Sequence, residues 1–136
     1  FLNPFMEYLR KKYICKNQIK KGINGVRDAI EYIKGNHSIA LMIDQRVSEG
    51  TRLNFFGKPA LTTTLPAQLA IKYNMDIIPV FIERKNSDKF EIEFLEKINP
   101  KEYDDKQKLS RKLNDTLEEM IKRNPNQWIW SHNRWK

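Results

Sequence analysis

Three polar residues of different chemistry follow an apolar stretch in the first half of the chain. Asp44, Gln45 and Arg46 come directly after residues 39–43, which are all apolar. A carboxylate at such a position can orient a histidine, hold a substrate hydroxyl or pair with an arginine. It can equally belong to a turn-forming Asp that bonds its own backbone. Spacing alone leaves both interpretations open.

An aromatic loop follows a little further on, where Phe55 and Phe56 precede Gly57. Adjacent side chains of an extended backbone point to opposite sides, so one ring can enter the core while the other faces a pocket or a bilayer. The alternative is that both rings lie in the core. Gly57 permits backbone conformations that are closed to other residues.

Three consecutive hydroxyls, those of Thr62, Thr63 and Thr64, lead into a predicted helix. The N-terminus of a helix carries about half a unit of positive charge, and its free backbone N–H groups can bind phosphate. A cap for this helix requires only Thr64. Because two further hydroxyls exceed that need, we expect a polar ligand site here.

The end of the chain is an aromatic and basic cluster that contains Trp128, Trp130, Arg134, Trp135 and Lys136. Such clusters suit a membrane–water boundary, where rings meet glycerol backbones and cations meet phosphate. The segment can equally form a lid packed back on the sheet, with Arg134 stacked on a ring. Both arrangements stay open.

The net charge of +8 is the most unusual feature of the amino-acid composition. Residues 1–36 contribute +5 of it, from eight Lys or Arg against three Asp or Glu. A basic surface attracts lipid head groups, nucleic acid or acidic proteins, although a merely solvated surface explains the charge equally well.

One cysteine and two distant histidines supply no closed set of metal ligands. No apolar run approaches the roughly 20 residues that span a bilayer.

Hydrophobic periodicity and turn residues predict an alternation of helices and strands. The run 38–43 suits a strand buried on both faces, as in a parallel sheet, and 90–94 alternates as a strand with one wet face. An open α/β sheet binds ligands beyond the carboxyl ends of its strands, which places Asp44 at the site of a two-layer or three-layer α/β domain. The predicted helices cover residues 4–13, about 26–33, about 66–73 and 104–123, and the predicted strands cover 38–43, 52–55, 76–82 and 90–94, the last two as a hairpin.

Residues 39–64, IALMIDQRVSEGTRLNFFGKPALTTT, resemble the signature of the Kdo-dependent lauroyl/myristoyl acyltransferases of lipid A biosynthesis. The closing residues 124–136, NPNQWIWSHNRWK, are similar to the usual ending of that family. The resemblance implies a glycerolipid-acyltransferase-like α/β fold, with a sheet of mixed strands flanked by helices. It also implies that residues 1–136 are the C-terminal part of a single acyltransferase domain, incomplete at the N-terminus.

The same resemblance implies an enzyme that moves a fatty acyl chain from acyl carrier protein to a hydroxyacyl group of a phosphorylated, Kdo-bearing glycolipid. Its expected place is the cytoplasmic face of the bacterial inner membrane. Its expected partners are acyl carrier protein, the lipid A precursor and an anionic membrane surface, with no nucleic acid, cofactor or metal. In the family an Asp, usually in an Asp-Gln pair, lies at this strand end, and the aromatic loop lies near the substrate. Arg10 is the nearest candidate for an arginine that the family uses after an Asn-Pro pair, here Asn3-Pro4, although its spacing differs from the family's and Lys11 or Lys12 can take its place.

The family's activity rests on a histidine followed, after four intervening residues, by Asp or Glu. That spacing lets a carboxylate orient the imidazole that removes a proton from the acceptor hydroxyl. His37 is followed at that spacing by Met42, and His132 is too close to the last residue to have a partner there. We therefore expect no catalytic residue within 1–136, no activity from these residues alone, and a histidine motif in preceding sequence.

Three other assignments stay open. An enzyme of the same scaffold can acylate another membrane glycolipid, such as a phosphatidylinositol mannoside. A basic nucleic-acid-binding module is a different class, although the cations are spread along the chain and no recognition motif occurs. The chain can also be a degenerate, non-catalytic product of a split gene.

Overall fold

The computed structural model describes residues 2–20 and 22–135, and the predicted mixed α/β class is confirmed. The chain divides into one compact unit up to Ala40 and a second from Leu41 onward. No helix of the described part is both long and apolar enough to cross a bilayer. The elements are α1 (Asn3–Tyr13), α2 (Ile23–Lys34), β1 (Thr51–Phe55), β2 (Lys58–Thr62), α3 (Leu65–Tyr73), β3 (Val80–Arg84), β4 (Phe90–Phe94) and α4 (Lys106–Arg123), with short 3-10 turns at Pro100–Glu102 and Pro125–Gln127.

The first unit consists of the two predicted helices α1 and α2. Pro4 lies in the first turn of α1, where its missing N–H would have had no partner inside the helix. The last turn of α1 contains Arg10, Lys11 and Lys12, whose charges suit the negative end of the helix dipole. Arg10 is exposed there. Lys21, one of the basic residues counted above, lies outside the described residues.

The second unit is built around the packing of α3 on α4. Its first buried cluster brings Ala67 and Ala70 of α3 against Leu109 and Leu113 of α4. Small residues on α3 allow the leucines of α4 to approach closely. Asp105 caps α4, because its side chain accepts hydrogen bonds from the backbone N–H groups of residues 107 and 108 at 2.6 and 2.9 Å. Both helices were predicted from their periodicity and are confirmed.

The predicted strand at 38–43 is wrong. Residues 37–43 have no regular structure, and Met42 in the middle of the run is 79% exposed. A strand requires a neighbouring backbone that accepts and donates its hydrogen bonds, and no other described residues pair with this run. Asp44 therefore lies in a bend and does not end a strand. Both sheets of the described residues are antiparallel pairs.

The first hairpin pairs the predicted strand β1 with β2, which sequence reasoning missed. Its two turn residues, Phe56 and Gly57, have φ values of 50° and 74°. Positive φ at both central residues is the requirement of a type I′ turn, which matches the twist of the flanking strands. Pro59 is part of β2 opposite Asn54. The proline is tolerated because this is a two-stranded sheet, where one side of each strand needs no ladder hydrogen bond.

The second hairpin, β3–β4, is confirmed, but its first strand begins at Val80 and not at residue 76. Ile77 makes only an isolated bridge with Ile98. Pro79 lies between the bridge and the strand and has no N–H to continue a ladder. The prediction that β4 has a single wet face is also wrong, because all five of its residues are exposed.

The apolar side chains of the second hairpin face outward. We call this surface the hairpin face; it consists of Val80, Ile82, Phe90, Ile92 and Phe94, which are 43–71% exposed. The opposite face contacts the end of α4. There Arg123 pairs with Glu93 at 2.5 Å and lies 4.3 Å from the ring centroid of Phe81. These contacts hold the side that contains Glu93 and Phe81 against α4 and leave the hairpin face exposed.

Candidate functional site

The C-terminal segment returns to the first hairpin and buries a cation there. Arg134 is 0% exposed, and its guanidinium carbon lies 4.1 Å from the ring centroid of Phe55. Its Nη2 donates to Asn114 Oδ1 at 3.2 Å and to Thr62 Oγ1 at 3.3 Å. Burial lowers the pKa of the Arg134 guanidinium below its ordinary value, and the nearby charge of Asp44 opposes this effect.

Asn114 connects this arginine to both strands of the first hairpin. Its Nδ2 donates to the carbonyl oxygen of Asn54 and to Thr62 Oγ1, each at 3.0 Å. Thr62 Oγ1 therefore accepts from two side chains and donates to the carbonyl oxygen of Ala60 at 3.2 Å. A hydroxyl has one donor and two acceptor positions, so Thr62 has none left for a ligand.

The indoles pack around the same ring. Trp135 stacks on Phe55, with ring centroids 5.7 Å apart, and its Nε1 donates to the carbonyl oxygen of Phe55 at 3.1 Å. Trp128 meets both Phe55 and Trp130 edge to face. We call Phe55, Phe56, Trp128, Trp130 and Trp135 the aromatic cluster. Of the three indoles, only Trp130 is exposed, and Lys136 lies outside the described residues.

The expectation that Phe55 and Phe56 point to opposite sides is wrong. Their ring centroids lie 4.8 Å apart, because β1 ends at Phe55 and the left-handed backbone of Phe56 turns its ring onto the same cluster. Phe55 is fully buried, whereas Phe56 keeps partial exposure. The backbone N–H of Phe56 donates to Glu118 Oε1 at 2.7 Å. Of the two rings, only that of Phe56 can meet a ligand without rearrangement.

The three threonines have separate partners. Thr62 belongs to the buried network, whereas Thr63 Oγ1 accepts from the backbone N–H of Leu65 at 3.3 Å. Thr64 occupies the N-cap position of α3, but its side chain does not cap the helix as predicted. Its hydroxyl accepts from Gln68 Nε2 at 2.7 Å instead. Thr63 and Thr64 remain partly exposed beside the N-terminus of α3, and a role in ligand binding stays a prediction for them.

Asp44, Gln45 and Arg46, which we call the site loop, lie against the C-terminal segment. The backbone N–H of Arg46 donates to His132 Nε2 at 3.1 Å, while the side chains of Gln45 and Arg46 are exposed. Asp44 is half-buried, and its Oδ1 is closed off from solvent without a hydrogen-bond partner. Arg134 Nε and Nη1 are buried without partners as well. The structure thus places the backbone of Arg46 against the C-terminal segment, and Asp44 near enough to Arg134 for its charge to act on the guanidinium.

Sequence reasoning missed the parts played by Asn114 and His132. The sequence does contain a signal for Asn114, because Ser110, Asn114 and Ile121 recur at helical spacing on the buried side of α4. A polar residue on such a stripe requires a buried partner. No short-range signal marks His132, whose contact spans 86 positions of the chain. No three His, Cys, Asp or Glu side chains of the described ranges lie close enough together to hold a metal ion.

A comparison with protein families gives one match, the family described as bacterial lipid A biosynthesis acyltransferase, over residues 8–136. The chain belongs to this family. The match spans both units and includes the site loop, the aromatic cluster and Asn114. No curated protein matches the chain. Membership of this acyltransferase family confirms the resemblance of the motifs at the family level, and the narrower assignment to its lauroyl/myristoyl members belongs with the proposals below.

Replacing Asn114 by Ala tests the buried network. The change removes one acceptor of Arg134 and two donated hydrogen bonds, and it leaves buried polar atoms without partners. We expect the free energy of unfolding in urea to fall by about 1–3 kcal/mol, the usual cost of an unsatisfied buried group. The matched control is Asn126→Ala at an exposed position, with an expected change within about 0.5 kcal/mol. Equal losses in the two variants would contradict a central place for Asn114.

Proposed function

We propose that this chain is the substrate-binding part of a lipid A biosynthesis acyltransferase that moves a fatty acyl chain from acyl carrier protein to a hydroxyacyl group of a phosphorylated, Kdo-bearing glucosamine lipid. The family match over residues 8–136 is the observation that carries the proposal. Asp44 of the site loop is only half-buried and lies beside the exposed Gln45 and Arg46, which agrees with a polar substrate site. The net charge of +8 agrees with two anionic substrates.

The reaction requires a base that these residues do not provide. The acceptor hydroxyl loses its proton, its oxygen attacks the thioester carbon, the C–S bond breaks, and the carrier thiolate takes up a proton. In the family a histidine with a carboxylate at the required spacing acts as the base, and neither His37 nor His132 has such a partner. We place this pair in sequence that precedes the one described here. A general base contributes roughly 10²–10⁴-fold in rate, so residues 1–136 alone should be inactive.

The residues of the site loop have chemistry that suits the acceptor. Asp44 can accept a hydrogen bond from a sugar or acyl hydroxyl. The exposed guanidinium group of Arg46 suits phosphate and the Kdo carboxylate, which arginine binds with two parallel hydrogen bonds. Arg10 is exposed in the first unit, and its role stays a prediction from the family resemblance. Phe56, and not the fully buried Phe55, is the ring available to line an acyl path. Gln45 is exposed beside Asp44 and can add an amide contact.

We also propose that the protein works at the cytoplasmic face of the inner membrane and contacts the bilayer through the hairpin face. That face presents five apolar side chains with no cover among the described residues. Arg84 lies at its edge, with its guanidinium carbon 5.0 Å from the ring centroid of Phe90. Rings next to a cation suit the boundary between acyl chains and phosphate head groups. The aromatic cluster is the weaker candidate, because Phe55, Trp128 and Trp135 already pack on one another.

A mannosylated phosphatidylinositol is the second candidate acceptor. The description of the matching family favours the lipid A precursor over it, and also favours an acyltransferase over a nucleic-acid-binding module. Both candidates require the same scaffold and the same thioester donor. The lipid that accumulates when the gene is lost therefore identifies the acceptor.

Disruption of the gene followed by analysis of lipid extracts tests the proposed reaction. We expect lipid A species whose hydroxyacyl chains lack a secondary acyl group. The intact gene should restore acylation, whereas a gene segment that encodes only residues 1–136 should not. Fully acylated lipid A in the disrupted strain would refute the assignment, and rescue by residues 1–136 would refute the placement of the base outside them. Accumulation of an under-acylated inositol lipid would transfer the assignment to that acceptor.

Binding to vesicles of phosphatidylethanolamine and phosphatidylglycerol tests the hairpin face. Replacing Phe90, Ile92 and Phe94 by Ser removes most of its apolar surface, so the vesicle-bound fraction should fall roughly tenfold or more. The comparison variant replaces Ile129 and Trp130 by Ser and should bind nearly as well as the unchanged protein. The reverse order would assign membrane contact to the C-terminal segment. A dimer that dissociates only in the hairpin variant would show that a second copy covers the face.

A further inference from the structure

The site loop and the C-terminal segment contain complementary buried atoms that lack partners. Asp44 contributes one carboxylate oxygen, Oδ1, and Arg134 contributes two guanidinium nitrogens, Nε and Nη1. Nine in ten or more buried polar groups in proteins are hydrogen-bonded, so each exception requires a reason. These exceptions belong to two residues of opposite charge, and the charge of Asp44 acts on Arg134. No ion pair within 4 Å joins them among the described contacts.

The C-terminal segment also contacts the same loop two residues away. His132 Nε2 accepts the backbone N–H of Arg46 at 3.1 Å, which fixes the backbone next to Asp44. Arg134 itself has little freedom, because Phe55 covers one face of its guanidinium and Asn114 and Thr62 hold its Nη2. The C-terminal segment thus presents two groups to the site loop: the guanidinium of Arg134 and the acceptor nitrogen of His132.

Arg134 cannot contact a substrate directly, because it is 0% exposed. Its influence on a ligand has to pass through Asp44, which is only half-buried. Asp44 Oδ1 is closed off from solvent, so a ligand can reach this carboxylate only through its second oxygen.

We propose that Arg134 is a positioning residue for Asp44, and that Arg134 and His132 together hold the site loop in the conformation that receives the acceptor hydroxyl. This inference rests on the proposed function for the role of Asp44, but the positioning itself does not depend on it. Arg134 stacks on Phe55, as the lid interpretation of this segment expected, and it is fully buried. Arg134 acts from the buried interior and connects the end of the chain to the site loop. We call the action of Arg134 and His132 on the site loop the clasp.

Hydrogen exchange of the backbone amides of residues 44–47, followed by mass spectrometry, tests the clasp. In Arg134→Gln the loop amides should exchange about tenfold faster, because the charge that orients Asp44 is lost. Arg134→Lys keeps the charge without the planar stack, so it should restore part of the protection. His132→Ala should accelerate exchange of the Arg46 amide, and His132→Gln, which keeps an acceptor, should accelerate it less.

Arg123→Gln is the matched control. Arg123 also lies over an aromatic ring and faces an acid, but it is exposed and distant in sequence from the loop. Its loss should leave exchange at 44–47 unchanged. Unchanged exchange in Arg134→Gln, or equal acceleration in Arg123→Gln, would overturn the inference. Should Arg134→Gln fail to fold, Asp44→Asn provides the reciprocal test: it should accelerate exchange in residues 130–135, and protection equal to that of the unchanged protein would overturn the inference equally.

Acyl-transfer kinetics of the intact enzyme separate this inference from the proposed function. If both hold, Arg134→Gln raises KM for the glycolipid acceptor more than it lowers kcat, and Arg134→Lys recovers part of the change. Faster loop exchange with unchanged KM would retain the clasp and reject Asp44 as a substrate residue. A large KM effect of Asp44→Asn, together with unaffected loop exchange in Arg134→Gln, would retain the function and reject the clasp.

Discussion

A buried cation determines how the second unit is assembled. Removing a guanidinium from water costs several kcal/mol unless stacking and hydrogen bonds offset it. Arg134 obtains this compensation from four parts of the chain: the ring of Phe55 at the end of β1, the hydroxyl of Thr62 in β2, the amide of Asn114 in α4 and the charge of Asp44 in the site loop. The site loop contacts the same C-terminal segment, because the backbone N–H of Arg46 donates to His132 Nε2.

Periodicity predicted the helices well, and the apolar stripes of α3 and α4 pack on each other, whereas α1 has no buried residue. It failed for residues 38–43, since an apolar run shows that a segment avoids water but not that a neighbouring strand exists to bond it. It missed β2 because the turn at Phe56 and Gly57 lacks the Asn-Gly pair that usually marks a two-residue hairpin. It also could not show that Arg123 of α4 would pair with Glu93 of β4, on the side of the hairpin opposite its isoleucines.

The candidate site was predictable in its residue types but not in its geometry. The order acid, amide, base in residues 44–46 and the family resemblance pointed to this loop, and its role as a substrate site stays a prediction. The contacts that hold the loop join residues 86 positions apart, and Asn114 reaches Thr62 across 52 positions. Such contacts depend on the folded arrangement of several elements, which local spacing does not contain. The same holds for the indoles, which suit a bilayer equally well: Trp128 and Trp135 pack on Phe55, and Trp130 packs on Phe56 and Trp128.

The direct measurement is a titration of the isotope-labelled protein with a phosphorylated glucosamine disaccharide that carries 3-hydroxyacyl chains, followed by the backbone amide signals in NMR. The ligand is dispersed in detergent, and the same detergent alone gives the baseline. Binding at the site loop predicts that the largest changes fall on residues 44–46 and on His132, and that Asp44→Asn weakens them. Changes confined to the hairpin face, or changes equal to those from detergent alone, would contradict a substrate site at Asp44.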